Sequence, residues 1–224
     1  MSDTDSFIEE VSEEVRRDRL YGYMRKYGWI AVLAILALVG GAAYNEYSKA
    51  QERAKAQTAG DAILAALEAD EPNARVAALE AVRGQDITQG AKAVVSLMQA
   101  AEQGAADDAA GSQAALEKIA VDGSLPEIYR QIASFKAASQ SDGSLSVEDR
   151  RVRLEALSAP GTSLRLLATE QLALIDIETA DTEAALEKLQ GIVVDAEVTA
   201  GLRQRATQLI IALGAEPEVL SGQN

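Results

Sequence analysis

Apolar and polar positions divide the chain into two different parts. From Gly28 to Tyr44 the sequence carries no charged residue and is mostly aliphatic. In a helix this run spans about 25 Å, and its flanking residues extend it to about 30 Å, the thickness of a bilayer core. Aromatic residues typical of membrane interfaces stand at both ends: Tyr27, Trp29, Tyr44 and Tyr47. We therefore predict one transmembrane helix over residues 28–47.

The basic residues near this segment predict its orientation. Five stand before it and three after it: Arg16, Arg17, Arg19, Arg25 and Lys26, then Lys49, Arg53 and Lys55. Because basic residues stay on the cytoplasmic side, we expect the N-terminus inside and the large domain outside. Gly41-Ala42-Ala43 has the small residues of a signal-peptide cleavage site, but the region before the segment is long and acidic. We interpret the segment as an uncleaved signal anchor.

Residues 1–27 form the predicted cytoplasmic region, with an amphipathic juxtamembrane helix from residue 6. Ser6 and Glu9 have the spacing of a capping box, and Ile8, Val11 and Val15 follow helical periodicity. Two interpretations stay open: a solvated helix, or a docking helix for a cytoplasmic partner or the membrane surface.

The rest of the chain is rich in alanine, the strongest helix former, and poor in proline. Four similar strings recur along it: Ala77-Ala78-Leu79-Glu80, Ala114-Ala115-Leu116-Glu117-Lys118-Ile119, Val152-Arg153-Leu154-Glu155-Ala156-Leu157 and Ala184-Ala185-Leu186-Glu187-Lys188-Leu189. A turn signal and a second helical stretch follow each string, at 88–104, 126–140, 163–179 and 197–213. Pro160-Gly161 is the turn signal before the third stretch, and the polar segment 139–144 is a predicted loop. The third spacing is shorter than the first two, but the average is close to the period of about 34 residues that is typical of tetratricopeptide repeats. We predict an all-α fold with a tetratricopeptide-like solenoid over residues 48–213 and a flexible tail over 214–224.

Composition excludes several kinds of chemistry. The chain contains no cysteine and no histidine, so thiol, imidazole and zinc-finger chemistry are ruled out. Its net charge of −14 disfavours binding to nucleic acid. The carboxylate pairs Asp107-Asp108 and Asp176/Glu178 are of a kind that acidic helical surfaces often carry. We predict no enzyme, with no catalytic, cofactor-binding or metal residues and no small-molecule substrate.

The order of these parts resembles a bacterial family. An acidic start, Arg25-Lys26 at the membrane, a segment with Gly40-Gly41 and an aromatic exit, and alanine-rich degenerate repeats are similar to the YfgM-type ancillary subunits of the Sec translocon. The stretch from Ser6 to Trp29 resembles the alphaproteobacterial branch. This resemblance implies an inner-membrane protein whose C-terminal domain faces the periplasm and whose partners are the SecYEG channel and a periplasmic chaperone.

Two functions follow as alternatives. The first is a membrane-anchored scaffold or chaperone at the translocon, for which we expect an apolar groove in the second half of the domain. The second is an accessory or assembly subunit of another inner-membrane complex, such as a respiratory complex. The second predicts an exposed apolar stripe on the membrane helix and its flanks.

Overall fold

The computed structural model describes residues 3–141 and 144–217, and side chains from residue 25 onward apart from Ala31, together with Tyr21. In this part of the chain all regular structure is helical and no strand is present. The helices are α1 (Asp3–Leu67), α2 (Pro72–Arg83), α3 (Gln89–Ala105), α4 (Ala109–Val121), α5 (Glu127–Ser139), α6 (Val147–Leu157), α7 (Arg165–Glu178), α8 (Thr182–Val194) and α9 (Ala200–Ala212). The prediction of an all-α protein is confirmed.

Helix α1 covers the first predicted segments without interruption. It begins at Asp3, so Ser6 lies inside it, and the capping side chains predicted there fall outside the described residues. It continues past Tyr47 to Leu67, as the absence of proline from 45–68 predicts. The chain divides into two compact units, Met1–Lys55 and Ala56–Asn224.

The second unit consists of helical hairpins whose bounds match the four predicted second stretches to within one helical turn. Each helix from α2 to α9 packs against its neighbours in the chain. Side chains that accept hydrogen bonds from backbone N–H groups begin most of these helices, because the first turn lacks internal partners. These capping residues are Thr88, Asp108, Ser146, Asp181 and Thr199.

The apolar core of the second unit is a series of four clusters. Each is built from successive helices, beginning with the end of α1 and finishing at α9. Alanines such as Ala93, Ala133, Ala168 and Ala206 are fully buried. Since a methyl side chain keeps helix axes close, this explains how an alanine-rich sequence packs without aromatic residues.

Two halves of this unit repeat each other at a constant offset in the sequence. Helix α3 ends with Asp107 at φ 60° and Asp108 N donating to Gln103 O, and α7 ends with Ala180 at φ 62° and Asp181 N donating to Asp176 O. The pattern of a left-handed residue followed by a six-to-one hydrogen bond is the Schellman motif. Other pairs of residues are separated along the chain by the same number of residues as Asp108 and Asp181, and both members of each pair are buried. These pairs are Ala100 with Ala173, Leu116 with Leu189, Ile119 with Ile192, Leu125 with Val198, and Ala133 with Ala206.

This equivalence shows the register of the fourth string. Leu79, Leu116 and Leu154 are fully buried, whereas Leu186 is half-buried and Leu189 takes the buried position in α8. The counterpart of Leu116 is therefore one helical turn later than the matching letters indicate. When equivalent buried leucines are compared, the distance along the chain from Leu154 to Leu189 is close to the repeat period. The short third spacing arose because the strings were aligned by residue identity and not by buried position.

Some of the predicted loops lie in the described part of the chain, and others lie partly or wholly outside it. The turn at Pro160-Gly161 is present, with Gly161 at φ 87°, a backbone conformation that favours glycine. The polar linker 139–144 joins α5 to α6, although its residues 142–143 lie outside the described part. The predicted flexible tail lies outside it from residue 218 onward.

Candidate functional site

The first candidate site is the uncharged segment of α1. Its large apolar side chains are exposed, including Leu36 at 61% and Leu38 at 73%. Exposed members follow one another at positions 30, 32, 33, 35, 36, 38 and 39, and at about 100° per residue they cover the whole circumference of the helix. A helix that is apolar all round needs an apolar environment, either a protein core or a bilayer. Among the described residues, this helix is long and apolar enough to cross a membrane.

The aromatic residues at the rims of the segment have polar partners or exposed polar ends. Trp29 Nε1 donates to Lys26 O at 3.1 Å, and the Lys26 ammonium lies 5.5 Å from the centre of the Tyr27 ring. At the other end, the Tyr47 hydroxyl accepts from Gln51 Nε2 at 2.9 Å. Apolar rings with polar ends suit the interface between hydrocarbon and water.

The second candidate site is a cleft in the first half of the helical unit, which we name the α2–α4 cleft. It has a volume of about 560 Å³. Its lining includes charged and amide side chains from α2, α3, α4 and the turn after α4, above an apolar floor of Ile119 and Leu125. It differs in place and in chemistry from the apolar groove that we expected in the second half.

Both carboxylates at the α2–α4 cleft are engaged by nearby groups. The two oxygens of Glu80 accept from Nε and Nη2 of Arg83, and Oε2 also accepts from Gln99 Nε2 at 2.9 Å. These hydrogen bonds, first from Arg83 and then from Gln99, lower the pKa of Glu80 to about 2. Asp122 accepts from the hydroxyl and backbone N–H of Ser124, and these bonds lower the pKa of its carboxyl. The charge of Lys118 lowers both pKa values further, but less than the hydrogen bonds do.

The two lysines of the α2–α4 cleft lack such direct partners. Lys92 on α3 is half-buried and Lys118 on α4 is exposed. Neither side chain forms an ion pair or hydrogen bond with any part of the chain that the structure describes. Beside them, the side-chain oxygen of Gln103 is buried without a hydrogen-bond donor.

The equivalent region of the second half, which we name the α6–α8 cluster, is closed by ion pairs. Asp176, equivalent to Gln103, is 1% exposed. Its Oδ1 lies 2.7 Å from Arg151 Nη1, and its Oδ2 lies 2.7 Å from Lys188 Nζ. Burial acts to raise the pKa of Asp176, but the contact with the Lys188 ammonium and the hydrogen bond from Arg151 outweigh burial and lower it. Lys188 occupies the position of Ala115 in the first half.

Arg165 completes the α6–α8 cluster and is equivalent to Lys92. It donates to both oxygens of Asp195 at 2.8 and 3.1 Å and to Glu197 at 2.7 Å. Asp195 is equivalent to Asp122, and Glu197 is equivalent to Ser124. The second half therefore neutralises its cations with its own carboxylates, whereas the first half has an amide and a hydroxyl at two of those positions.

The carboxylate pairs noted in the sequence have structural roles. Asp108 caps α4 through Gly111 N at 2.9 Å. Glu178 lies 2.9 Å from Arg150 Nη1, and Arg150 is 5% exposed and also donates to Ala138 O. Within the described residues, no group of three acidic side chains is arranged to hold a metal ion. Sequence reasoning missed the α2–α4 cleft because Lys92, Gln103 and Lys118 form no local motif.

Comparison of the chain with protein-family models, with curated proteins and with solved structures finds no match.

Proposed function

We propose that the protein is a membrane-anchored scaffold or chaperone whose helical domain binds other proteins. The observation that carries this proposal is the series of hairpins with successive small cores and repeated turns. Such a series supports a tetratricopeptide-like solenoid, a class in which each repeat contacts its neighbours and the assembled surface binds peptides or proteins. The net charge of −14 disfavours nucleic acid as the partner.

The anchor of this proposal is the 28–47 segment of α1. Its exposed aliphatic surface matches the thickness and polarity of a bilayer core, and its aromatic rims match the interfaces. The excess of basic residues before the segment favours a cytoplasmic N-terminus and a periplasmic domain in an inner membrane. The resemblance to YfgM-type subunits supports SecYEG and a periplasmic chaperone as the partners.

The alternative is an accessory or assembly subunit of another inner-membrane complex. The apolar surface around the whole segment favours it, since such a helix suits partner helices as well as lipid. Gly41 has open space beside it, and Ala37 lies four residues before it, a spacing that lets two membrane helices approach closely.

Affinity purification of the full chain from native membranes in a mild detergent tests both functions. The first predicts that Sec components and periplasmic chaperones co-purify, identified by mass spectrometry. Recovery of a respiratory complex without any Sec component would reject the first function and support the second.

Two further experiments test the anchor itself. A reporter fused after Asn224 should be active only outside the cytoplasm, and cytoplasmic activity would overturn the orientation. A Leu36→Arg substitution places a charge at the centre of the segment, at a cost of about 3 kcal/mol. We expect this variant to be extracted by alkaline carbonate more readily than the wild type, while Leu64→Arg, outside the segment, remains in the membrane fraction.

A further inference from the structure

We propose that the α2–α4 cleft binds a peptide segment through a carboxylate held between Lys92 and Lys118. The inference rests on the proposed protein-binding function and names the chemistry that its partner presents. The carboxylate belongs to a peptide C-terminus or to an aspartate or glutamate side chain, and the experiment below separates these two sources.

The first support is the unbalanced charge at the α2–α4 cleft. Arg83 and Gln99 occupy the oxygens of Glu80, and Ser124 engages Asp122, so neither acid forms an ion pair with a cleft lysine. Lys92 and Lys118 lie on different helices and both line this cleft. The charged residues of the lining are Arg83, Lys92 and Lys118 against Glu80 and Asp122, an excess of one positive charge in a chain with 35 acidic and 21 basic residues.

The second support is the α6–α8 cluster, which shows what closes the same architecture from within. There Arg165 binds Asp195 and Glu197, and Lys188 binds Asp176. In the α2–α4 cleft, Ser124 replaces the second carboxylate, Gln103 replaces the buried aspartate, and Ala115 replaces the lysine that fills the space. The cleft lining keeps two carboxylates, Glu80 and Asp122, against three cations, and a carboxylate from a ligand supplies one further anion.

The third support is the shape and polarity of the rest of the cleft. Gln103 lines the cleft, and its side-chain oxygen is buried without a hydrogen-bond donor. Ile119 and Leu125 provide an apolar floor for an aliphatic side chain next to the carboxylate. A volume of about 560 Å³ lies in the range of pockets that hold ligands of a few residues.

Fluorescence polarisation with the full chain in a mild non-ionic detergent tests this site. The probe is a fluorescein-labelled Gly-Ser-Ala-Leu-Asp-Leu-Asp peptide with a free C-terminus. Three matched probes carry a C-terminal amide, asparagines in place of the aspartates, or both changes. We expect the fully neutral probe to bind about tenfold more weakly than the acidic probe, because charge-assisted hydrogen bonds are lost. The two intermediate probes identify which carboxylate is bound.

Variants of the cleft then locate the binding. Lys92→Gln combined with Lys118→Gln should weaken binding of the acidic probe by about tenfold or more. Lys136→Gln is the matched control, since Lys136 is exposed on α5 and does not line the cleft. Equal affinity for acidic and neutral probes, or unchanged affinity of the double variant, would overturn the inference. Acetate and inorganic phosphate are then added as competitors of the acidic probe. Equal displacement of the probe by the two anions would reject selectivity for carboxylates.

A second variant keeps the test valid if the lysine substitutions disturb folding. Gln103→Asp combined with Ala115→Lys copies the α6–α8 cluster, and we expect it to retain helicity and lose probe binding. The proposed carboxylate site and the proposed scaffold function can be rejected independently. If the Lys92/Lys118 double variant still co-purifies with the native partners, the carboxylate site is rejected but the scaffold function is not. If probe binding depends on the two lysines but no protein co-purifies with the chain, the carboxylate site is supported and the scaffold function is rejected.

Discussion

The α2–α4 cleft and the α6–α8 cluster are the same piece of architecture with different side chains. Both lie beside a Schellman-terminated helix that leads to a capping aspartate, and both are followed by an aspartate turn. The α6–α8 cluster satisfies its charges internally, at Asp176 and Arg165. The α2–α4 cleft leaves Lys92, Lys118 and the Gln103 oxygen without internal ion-pair or hydrogen-bond partners among the described residues. A repeated fold can thus carry paired charges in one copy and unpaired lysines in the other through a few substitutions.

The largest expected effect is the loss of the buried carboxylate in the α6–α8 cluster. Asp176→Asn leaves Arg151 and Lys188 without their shared anion, and breaking a buried ion pair in this way costs about 3 kcal/mol. We expect urea denaturation of the full chain in detergent, followed by circular dichroism, to show this loss. Asp107→Asn is the control, because an exposed asparagine tolerates its left-handed backbone, and its unfolding free energy should change by less than about 0.5 kcal/mol. Equal losses of unfolding free energy in Asp176→Asn and Asp107→Asn would contradict a stabilising role for the ion pairs of the α6–α8 cluster.

The effect of Asp176→Asn should also depend on pH. The pKa of Asp176 is lowered in the folded state, so the carboxylate stabilises the fold above its unfolded value of about 3.8. That stabilisation is lost as the pH falls below this value and through the folded pKa. Urea midpoints of wild type and variant should therefore differ most near neutral pH and converge in acid. A difference that stays constant down to acid pH would assign the effect to packing instead of charge.

Introducing the Asp176–Lys188 ion pair at the equivalent positions of the α2–α4 cleft should produce a coupling energy smaller than the loss caused by Asp176→Asn. In Gln103→Asp combined with Ala115→Lys, the new pair should add about 1 kcal/mol beyond the sum of the single substitutions. A double-mutant cycle of unfolding free energies measures this coupling. Purely additive effects would mean that the two positions do not face each other as Asp176 and Lys188 do.

The smallest expected effect concerns the buried oxygen of Gln103. Gln103→Leu removes an acceptor that has no donor, so we expect the unfolding free energy to change little or to rise by up to about 1 kcal/mol. The same variant should bind the acidic peptide more weakly. A loss of stability above about 2 kcal/mol, which is more than a typical single hydrogen bond contributes, would show that Gln103 supports the fold.

Local patterns in the sequence predict the helices well. Capping residues such as Thr88 and Asp181 stand where the helices begin, and Pro160-Gly161 marks a turn that the structure contains. These features depend on hydrogen bonds between residues close in the chain, so their spacing is visible in the sequence. The sequence does not decide the register of α8, since either Leu186 or Leu189 satisfies the same periodicity and only packing against α7 and α9 selects the buried one.

The sequence by itself determined the helical class, the hairpin bounds and the exposed apolar segment of α1. Each follows from short-range periodicity, composition and length, which need no knowledge of contacts across the fold. Only the tertiary structure decided that Asp176 forms ion pairs while Lys92 and Lys118 form none with the described residues. The partners of Asp176 lie on the helices before and after its own, at Arg151 and Lys188, and the packing of the hairpins alone brings them within reach.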